Sequence, residues 1–225
     1  MPPPKNSSSR IQRTHLIVLL AAFLGWLFDG FEMGLFPIVA RPALTDMYQG
    51  TENVEIFVGQ WMGWITAVFL LGAAAGGFIF GWLGDRVGRV KAMSFSILTY
   101  SVFTGLGFFA QEPWHLAVFR FLAALGMGGE WSLGVALVME CWPERLRPLM
   151  AGIIGAAANF GFLLVAAVSK AKEVTVDSWR WMWLVGVVPA ILVIFIRLFV
   201  PESERRKASV SKETDHHPLK EVFSK

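Results

Sequence analysis

The sequence predicts an all-α membrane protein with six transmembrane helices. Three observations lead there. Of 225 residues, 55% are hydrophobic and only 16% charged, with a mean hydropathy of +0.53, against roughly a quarter charged in an ordinary soluble domain. A soluble particle with 10 Trp and 19 Phe would carry large exposed apolar patches. The charges that exist leave long stretches empty, each near the roughly 20 residues a helix needs to cross ~30 Å of hydrocarbon, and the basic residues collect in alternate loops. A β-barrel would need short segments of alternating polarity instead.

Residues 1–14, rich in Pro and Ser, predict a disordered tail. The tail is too polar, and the apolar run behind it too long, for a secretory signal, so the first helix is expected to be retained. The first span covers about 15–40 and is interrupted only by Asp29 and Glu32. The second (57–83), third (91–111) and fifth (148–169) are essentially free of charge. The fourth (114–140) carries Arg120 and Glu130 inside it, and the sixth (180–200) has Arg197 placed to snorkel near its end. Residues 201–225 form a polar, charged tail. Trp26, Trp114, Trp179 and Trp181 fit interface anchors near span ends, and Gly126, Gly128, Gly129 and Gly134 fit close helix packing through small residues.

Orientation follows from the loops. With both termini cytoplasmic, 15 of the 20 Lys and Arg residues fall on the inner side, and only Arg41, Lys170, Lys172 and Arg180 lie outside. The opposite topology would reverse that bias. A plasma (cytoplasmic) membrane location is expected. The formal charge of +3 is too small to indicate a nucleic-acid partner. The single cysteine, Cys141, excludes an intrachain disulfide and a multi-cysteine metal site.

Ionisable groups inside the bilayer cost roughly 3 kcal/mol each on insertion scales, which makes them functional candidates. Asp29 and Glu32, three residues apart, share one helix face. Counting 1.5 Å per residue from the span edges puts Asp29 and Arg120 both about 9 Å below the outer surface. They are therefore the expected ion pair if the first and fourth helices are neighbours. Glu130 lies ten residues deeper, with no partner at helical spacing. These groups could be structural ties between helices; three acids and one base on two helices favour a polar pathway. Depth also selects Trp64, Trp131 and Asn159 as possible substrate contacts.

Between the second and third spans stands a loop running from Gly81 through Asp85, Arg86, Gly88 and Arg89 to Lys91. Its order, G-W-L-G-D-R-V-G-R-V-K, resembles motif A of the major facilitator superfamily, G-x-L-x-D-R-x-G-R-x-K. Asp85 can accept bonds from helix-terminal N–H groups or guanidinium donors, and Gly88 lets the chain turn sharply. The stretch from Arg120 to Gly129 resembles the fourth-helix motif B, and Glu140, Pro143 and Arg147 match E-x-x-P-x-x-x-R of sugar-porter-like members. Asp29-Gly-Phe-Glu32 is similar to the D-G-x-D/E of aromatic-acid:proton symporters, and Gly128-Gly-Glu-Trp131 to sialate and monocarboxylate:proton symporters. The fifth span lacks the G-P-x-x-G-G of drug:proton antiporters.

The resemblance covers about residues 15–203 and implies the N-terminal six-helix half of a transporter. It implies that the 81–91 loop is a conformational latch, that Glu140 and Arg147 belong to a cytoplasmic charge network, and that Asp29, Arg120, Glu32 and Glu130 take part in proton coupling. The expected function is proton-coupled symport of a small organic anion by alternating access, with the proton as coupling ion and no other cofactor. The expected partners are the lipid bilayer, an organic acid, and a second six-helix half or another copy of the chain. A truncated chain is the favoured expectation for the missing half. A sugar carrier, a non-transporting six-helix regulatory subunit and a channel-like oligomer are the alternatives. An enzyme is not expected: the sequence has no nucleophile elbow, phosphate-binding loop or His/Cys cluster, and His216-His217 reads as a solvated pair in the tail.

Overall fold

A computed structural model describes residues 13–200, all organised as helices and short connections. The predicted tails lie outside the described residues, except that Arg13 and Thr14 already belong to the first helix. His216-His217 and the side chain of Arg197 lie outside them as well.

The helices are α1 (Arg13–Met47), α2 (Val54–Val87), α3 (Arg89–Leu106), α4 (Pro113–Cys141), α5 (Arg147–Ala171), α6 (Arg180–Val185) and α7 (Ala190–Phe199). The first five are long and apolar enough to cross a membrane. Consecutive long helices run in opposite directions. One end of the bundle carries the α2–α3 turn at Gly88, and the other carries the α1–α2 loop at Asn53.

Helix limits differ from the expected span limits in two places. The first helix does not stop near residue 40 but continues through Arg41 to Met47. Charge ends a span only where it is unmatched, and here Arg41 pairs with Glu55 across the loop while Asp46 accepts from Arg180 at 3.1 Å and from Trp179 Nε1 at 3.0 Å. The sixth span is not one continuous helix: α6 and α7 are separated by Gly186–Pro189. Pro189 has no N–H to give to the ladder. The chain crosses the break on three-residue turns such as Val187 N to Leu184 O at 3.1 Å and Ala190 N to Val187 O at 2.9 Å.

α4 is the central helix, packed against α2, α3 and α1, while α1 packs mainly on α5. Glycines set these approaches. A Cβ at Gly126 would stand 2.6 Å from Tyr100 N and 3.0 Å from Tyr100 Cβ, so α3 sits directly on α4 there. Gly76 rests on the Leu125 backbone, and Gly77 lies level with Gly128. On the other side Gly30 meets Ala158, and Gly161 meets the backbone of Leu27 and Phe31. Trp64, Phe78, Phe160 and Leu163 remain outward-facing and exposed, an arrangement suited to lipid or a further helical partner and not to water.

Candidate functional site

The register of α1 against α4 fixes the charged interior. Gly25 lies under the Glu130 side chain, with an added Cβ only 3.0 Å from its Cδ. A Cβ added at Gly134 would lie 3.4 Å from Trp26 Nε1. Because the two helices are antiparallel, this register brings Arg120 level with Phe36, whose ring lies 4.9 Å below the guanidinium. Asp29 is then about 10 Å away along the axis and Glu32 about 6 Å.

Arg120 accordingly pairs with Glu32 through Nη1 and Oε1. The expected Asp29–Arg120 pair is not formed. The depth count failed because it treated the span edges as level surfaces, whereas α1 runs two turns further than predicted and the inter-helix register is set by glycines. Side-chain lean adds to this: long helical side chains point toward their own N-terminus, so Arg120 leans toward the Asn53 end, away from Asp29, which stands one turn nearer the Gly88 end than Glu32. Thr104 of α3 donates to the same Glu32 oxygen at 2.7 Å, and Phe69 closes the other side of Arg120 at 4.6 Å. Arg120 is 2% exposed and Glu32 1%.

Asp29 instead neighbours Glu130, so Glu130 does have a companion, from the other helix. Asp29 leans toward the Gly88 end and Glu130 toward the Asn53 end, which closes the gap between them. Both are 0% exposed, Trp131 flanks Asp29, and among the described residues no donor stands at hydrogen-bonding geometry to an oxygen of either acid. α3 supplies neutral polar groups to the same interior: Tyr100 and Ser101 are 0% exposed and Thr104 1%. Sequence reasoning missed these hydroxyls. The available signal was Ser94, Ser101 and Thr104, spaced seven and three residues apart on one face of an otherwise uncharged span.

The possible substrate contacts do not form one group. Trp131 is 40% exposed and stacks on Trp26 of α1, centroids 5.9 Å apart. Asn159 is exposed on α5 beside Ala158, which packs on Gly30, so it stands at the depth of Asp29. Trp64 is elsewhere. The α2–α4 register puts it opposite residues near 114, roughly 25 Å along the axis from Trp131. There it lines an open groove of about 490 Å³ with Tyr48, Phe57, Gln60 and Trp61. Two expected interface anchors also move inward: Trp26 lies mid-helix against α4, and Trp179 is fully buried on Asp46.

At the Gly88 end, Gly88 turns the chain with φ 111°, a conformation that disfavours any side chain. Arg89 bridges Asp85 at 2.7 Å and Glu140 at 3.3 Å, joining α2, α3 and α4. Arg86 stacks on Trp82 at 4.1 Å. Lys91 and Gly81 complete the segment, with Gly81 facing Ser132. Glu140 and Arg147 are not partners of one another: Arg147 donates to the Trp142 carbonyl at 3.2 Å and pairs with Glu144 at 3.4 Å.

An all-helical bundle with membrane-length spans and four ionisable side chains sealed in its interior defines an integral, multi-pass membrane protein. Comparison with known proteins specifies it further. The profile of the family described as "Sugar (and other) transporter" matches residues 17–220. A putative metabolite transport protein of Haemophilus influenzae is 34% identical over 186 residues, 83% of this chain and 44% of the relative. The sialic acid transporter NanX of Escherichia coli is 31% identical over 83% of this chain and 44% of its own length. The cis,cis-muconate transport protein of Acinetobacter baylyi is 30% identical over 93% and 50%. Among solved structures, the proton:xylose symporter XylE superposes with a TM-score of 0.77 at 22% identity, covering 89% of this chain and 47% of that one; this likeness shows the fold. The chain belongs to the Sugar (and other) transporter family of the major facilitator superfamily, and its bundle corresponds to the N-terminal half of that fold. It spans about half the length of the curated relatives it matches.

Proposed function

We propose that this bundle is the N-terminal half of a proton-coupled carrier for small organic anions, working by alternating access with a second six-helix half in the plasma membrane. The carrying observation is the Glu32–Arg120 ion pair, shut between Phe36 and Phe69 with Asp29 and Glu130 close by. Separating such a pair is costly unless each charge is compensated. A proton on Glu32 removes the counter-charge of Arg120, and a substrate carboxylate supplies a new one. Proton and anion then enter together with little net charge in the membrane. Asp29 and Glu130 lie in the same dry compartment and serve as further proton-binding groups of the coupling site.

Substrate class rests on the relatives. Two of them are named for carboxylate cargoes, sialic acid and cis,cis-muconate. Trp131 and Asn159, exposed near the depth of Asp29, are the contacts this half would offer. The Asp85–Arg89–Glu140 bridge ties three helix ends together at one side of the bundle and serves as the latch that biases the access state. The test is uptake into vesicles holding the intact carrier, with and without an inward proton gradient, across a panel of monocarboxylates, dicarboxylates and neutral sugars. Accumulation of a carboxylate driven by the gradient supports the proposal; gradient-independent uptake of sugars alone would refute it.

A further inference from the structure

The ion pair of the proposed coupling site occupies only one oxygen of the Glu32 carboxylate. Oε1 accepts from Arg120 Nη1 and from the Thr104 hydroxyl of α3, the latter at 2.7 Å. A carboxylate oxygen carries two lone pairs, so these two donors fill it. Among the described residues Oε2 has no hydrogen-bond partner, although Glu32 is only 1% exposed. The other titratable side chains buried in this interior are Asp29 on α1, Tyr100 on α3, and Arg120 and Glu130 on α4. Among the described residues, α2, α5 and α6 bury none with them.

What covers Oε2 is the break between α6 and α7. A Cβ added at Gly186 would stand 3.4 Å from Oε2 and would collide with Thr104 Cγ2. Gly186 has φ −62° and ψ −10°, a helical conformation that any residue adopts. Its glycine therefore answers to this contact and not to backbone strain. The same segment is keyed to α3 just beyond Thr104: Val187 fills the space left by Gly105, and the Trp183 ring that left by Gly107. Thr104, itself 1% exposed, thus has its methyl group against the break and its hydroxyl on Glu32.

We infer that Thr104 is a positioning residue of the coupling site, seated by Gly186, and that its hydroxyl directs the incoming proton to Glu32 Oε2. In that step a proton from solution forms one new O–H bond at Oε2. The carboxylate becomes a neutral carboxyl with Oε1 as its carbonyl oxygen, and Arg120 is released to the cargo carboxylate. The carbonyl Oε1 still accepts from Thr104, so the carboxyl stays on α3 when the guanidinium leaves. Without that hold the carboxyl turns freely, and the ion pair re-forms, releasing its proton, before cargo arrives. The inference rests on the proton-coupled function proposed above.

Thr104→Val keeps the branched shape and removes only the hydroxyl. In vesicles with the intact carrier, carboxylate accumulation under an imposed pH gradient should fall about 10-fold, the scale of one hydrogen bond to a charged group, while exchange at equal pH falls less than about 2-fold. Thr104→Ser, which keeps the hydroxyl, should recover most of the accumulation. Gly186→Ala should lose accumulation as Thr104→Val does. Adding Thr104→Ser to Gly186→Ala should restore it, because serine lacks the methyl group that the alanine strikes. Accumulation unchanged in Thr104→Val, no better in Thr104→Ser, or not restored in the double variant would overturn the inference. A wild-type carrier that ignores the gradient would show separately that the functional proposal itself is wrong.

Infrared spectra of the chain in lipid test the protonated atom without transport. At acid pH the C=O band of neutral Glu32, identified by its loss in Glu32→Gln, should lie lower in the wild type and in Thr104→Ser than in Thr104→Val. A carbonyl that accepts a hydrogen bond absorbs at lower frequency. One band position in all three proteins would overturn the assignment of the proton to Oε2.

Discussion

Arg120 meets Glu32 and not Asp29, although the two acids stand one turn apart on the same helix and both are sealed from solvent. The choice follows from the glycine-set register of α1 on α4, which leaves Asp29 about 10 Å along the axis from the guanidinium. It divides the charged interior into an ion pair, to which Thr104 of α3 also donates, and a pair of neighbouring acids.

This division predicts selective energetic coupling. Removing one partner of a buried ion pair typically costs about 3–5 kcal/mol, because the other charge is stranded. In thermal unfolding of the purified chain, Glu32→Gln and Arg120→Gln should each destabilise strongly, with a coupling energy of about 1–3 kcal/mol in the double mutant. Asp29→Asn combined with Arg120→Gln should couple by less than about 0.5 kcal/mol. Equal coupling at both positions would return Asp29 to the pair.

The latch should behave in the opposite way. Asp85 is two-thirds exposed in its pairing with Arg89, so the bridge contributes only about 0–1 kcal/mol to stability. Asp85→Asn should therefore leave the melting temperature nearly unchanged and slow turnover, while substrate affinity stays close to wild type. A changed substrate preference at unchanged turnover would contradict the assignment.

How much of this was legible in the sequence depends on whether a feature is local. The long spans follow from charge-free runs, and the Gly88 turn and its flanking charges are contiguous, so both could be read directly. The partner of Arg120 could not, because it depends on how far α1 slides against α4, and Gly25 and Gly134 carry that information only once the helices are together. Tyr100, Ser101 and Thr104 were overlooked because hydroxyls are common in apolar helices; what makes them special is the set of acids opposite. The break at Gly186–Pro189 was signalled by its own Gly and Pro, but the apolar run concealed it.

The packing glycines give a clean contrast. Gly126→Ala places a methyl group against the Tyr100 backbone and should cost about 1–3 kcal/mol, as overpacking does. Gly152→Ala on α5 meets nothing within 4 Å and should be neutral or about 0.5–1 kcal/mol more stable, since alanine favours the helix. Gly126→Ala should lower the melting temperature, whereas Gly152→Ala should leave it unchanged or raise it. Similar losses at both sites would mean that α3 does not rest on α4 at Gly126.

Topology can be read by labelling. In a Cys141→Ser background, cysteines at Glu52 and Asp177, both at the Asn53 end, should react with an impermeant reagent added outside intact cells. One at Glu144, exposed at the Gly88 end, should react only after permeabilisation. External labelling at Glu144 would invert the orientation given by the basic loops.

The central claim is that protonation of the buried acids, Glu32 first among them, is what couples the gradient to the cargo. The most direct measurement compares Glu32→Gln with wild type in the intact carrier, following both carboxylate accumulation under an imposed pH gradient and carboxylate exchange at equal pH. The account predicts that Glu32→Gln exchanges substrate but no longer concentrates it, because Arg120 has lost the carboxylate partner that a proton can neutralise. A Glu32→Gln carrier that still concentrates its substrate at the wild-type rate would show that the ion pair is a structural tie and that coupling lies elsewhere.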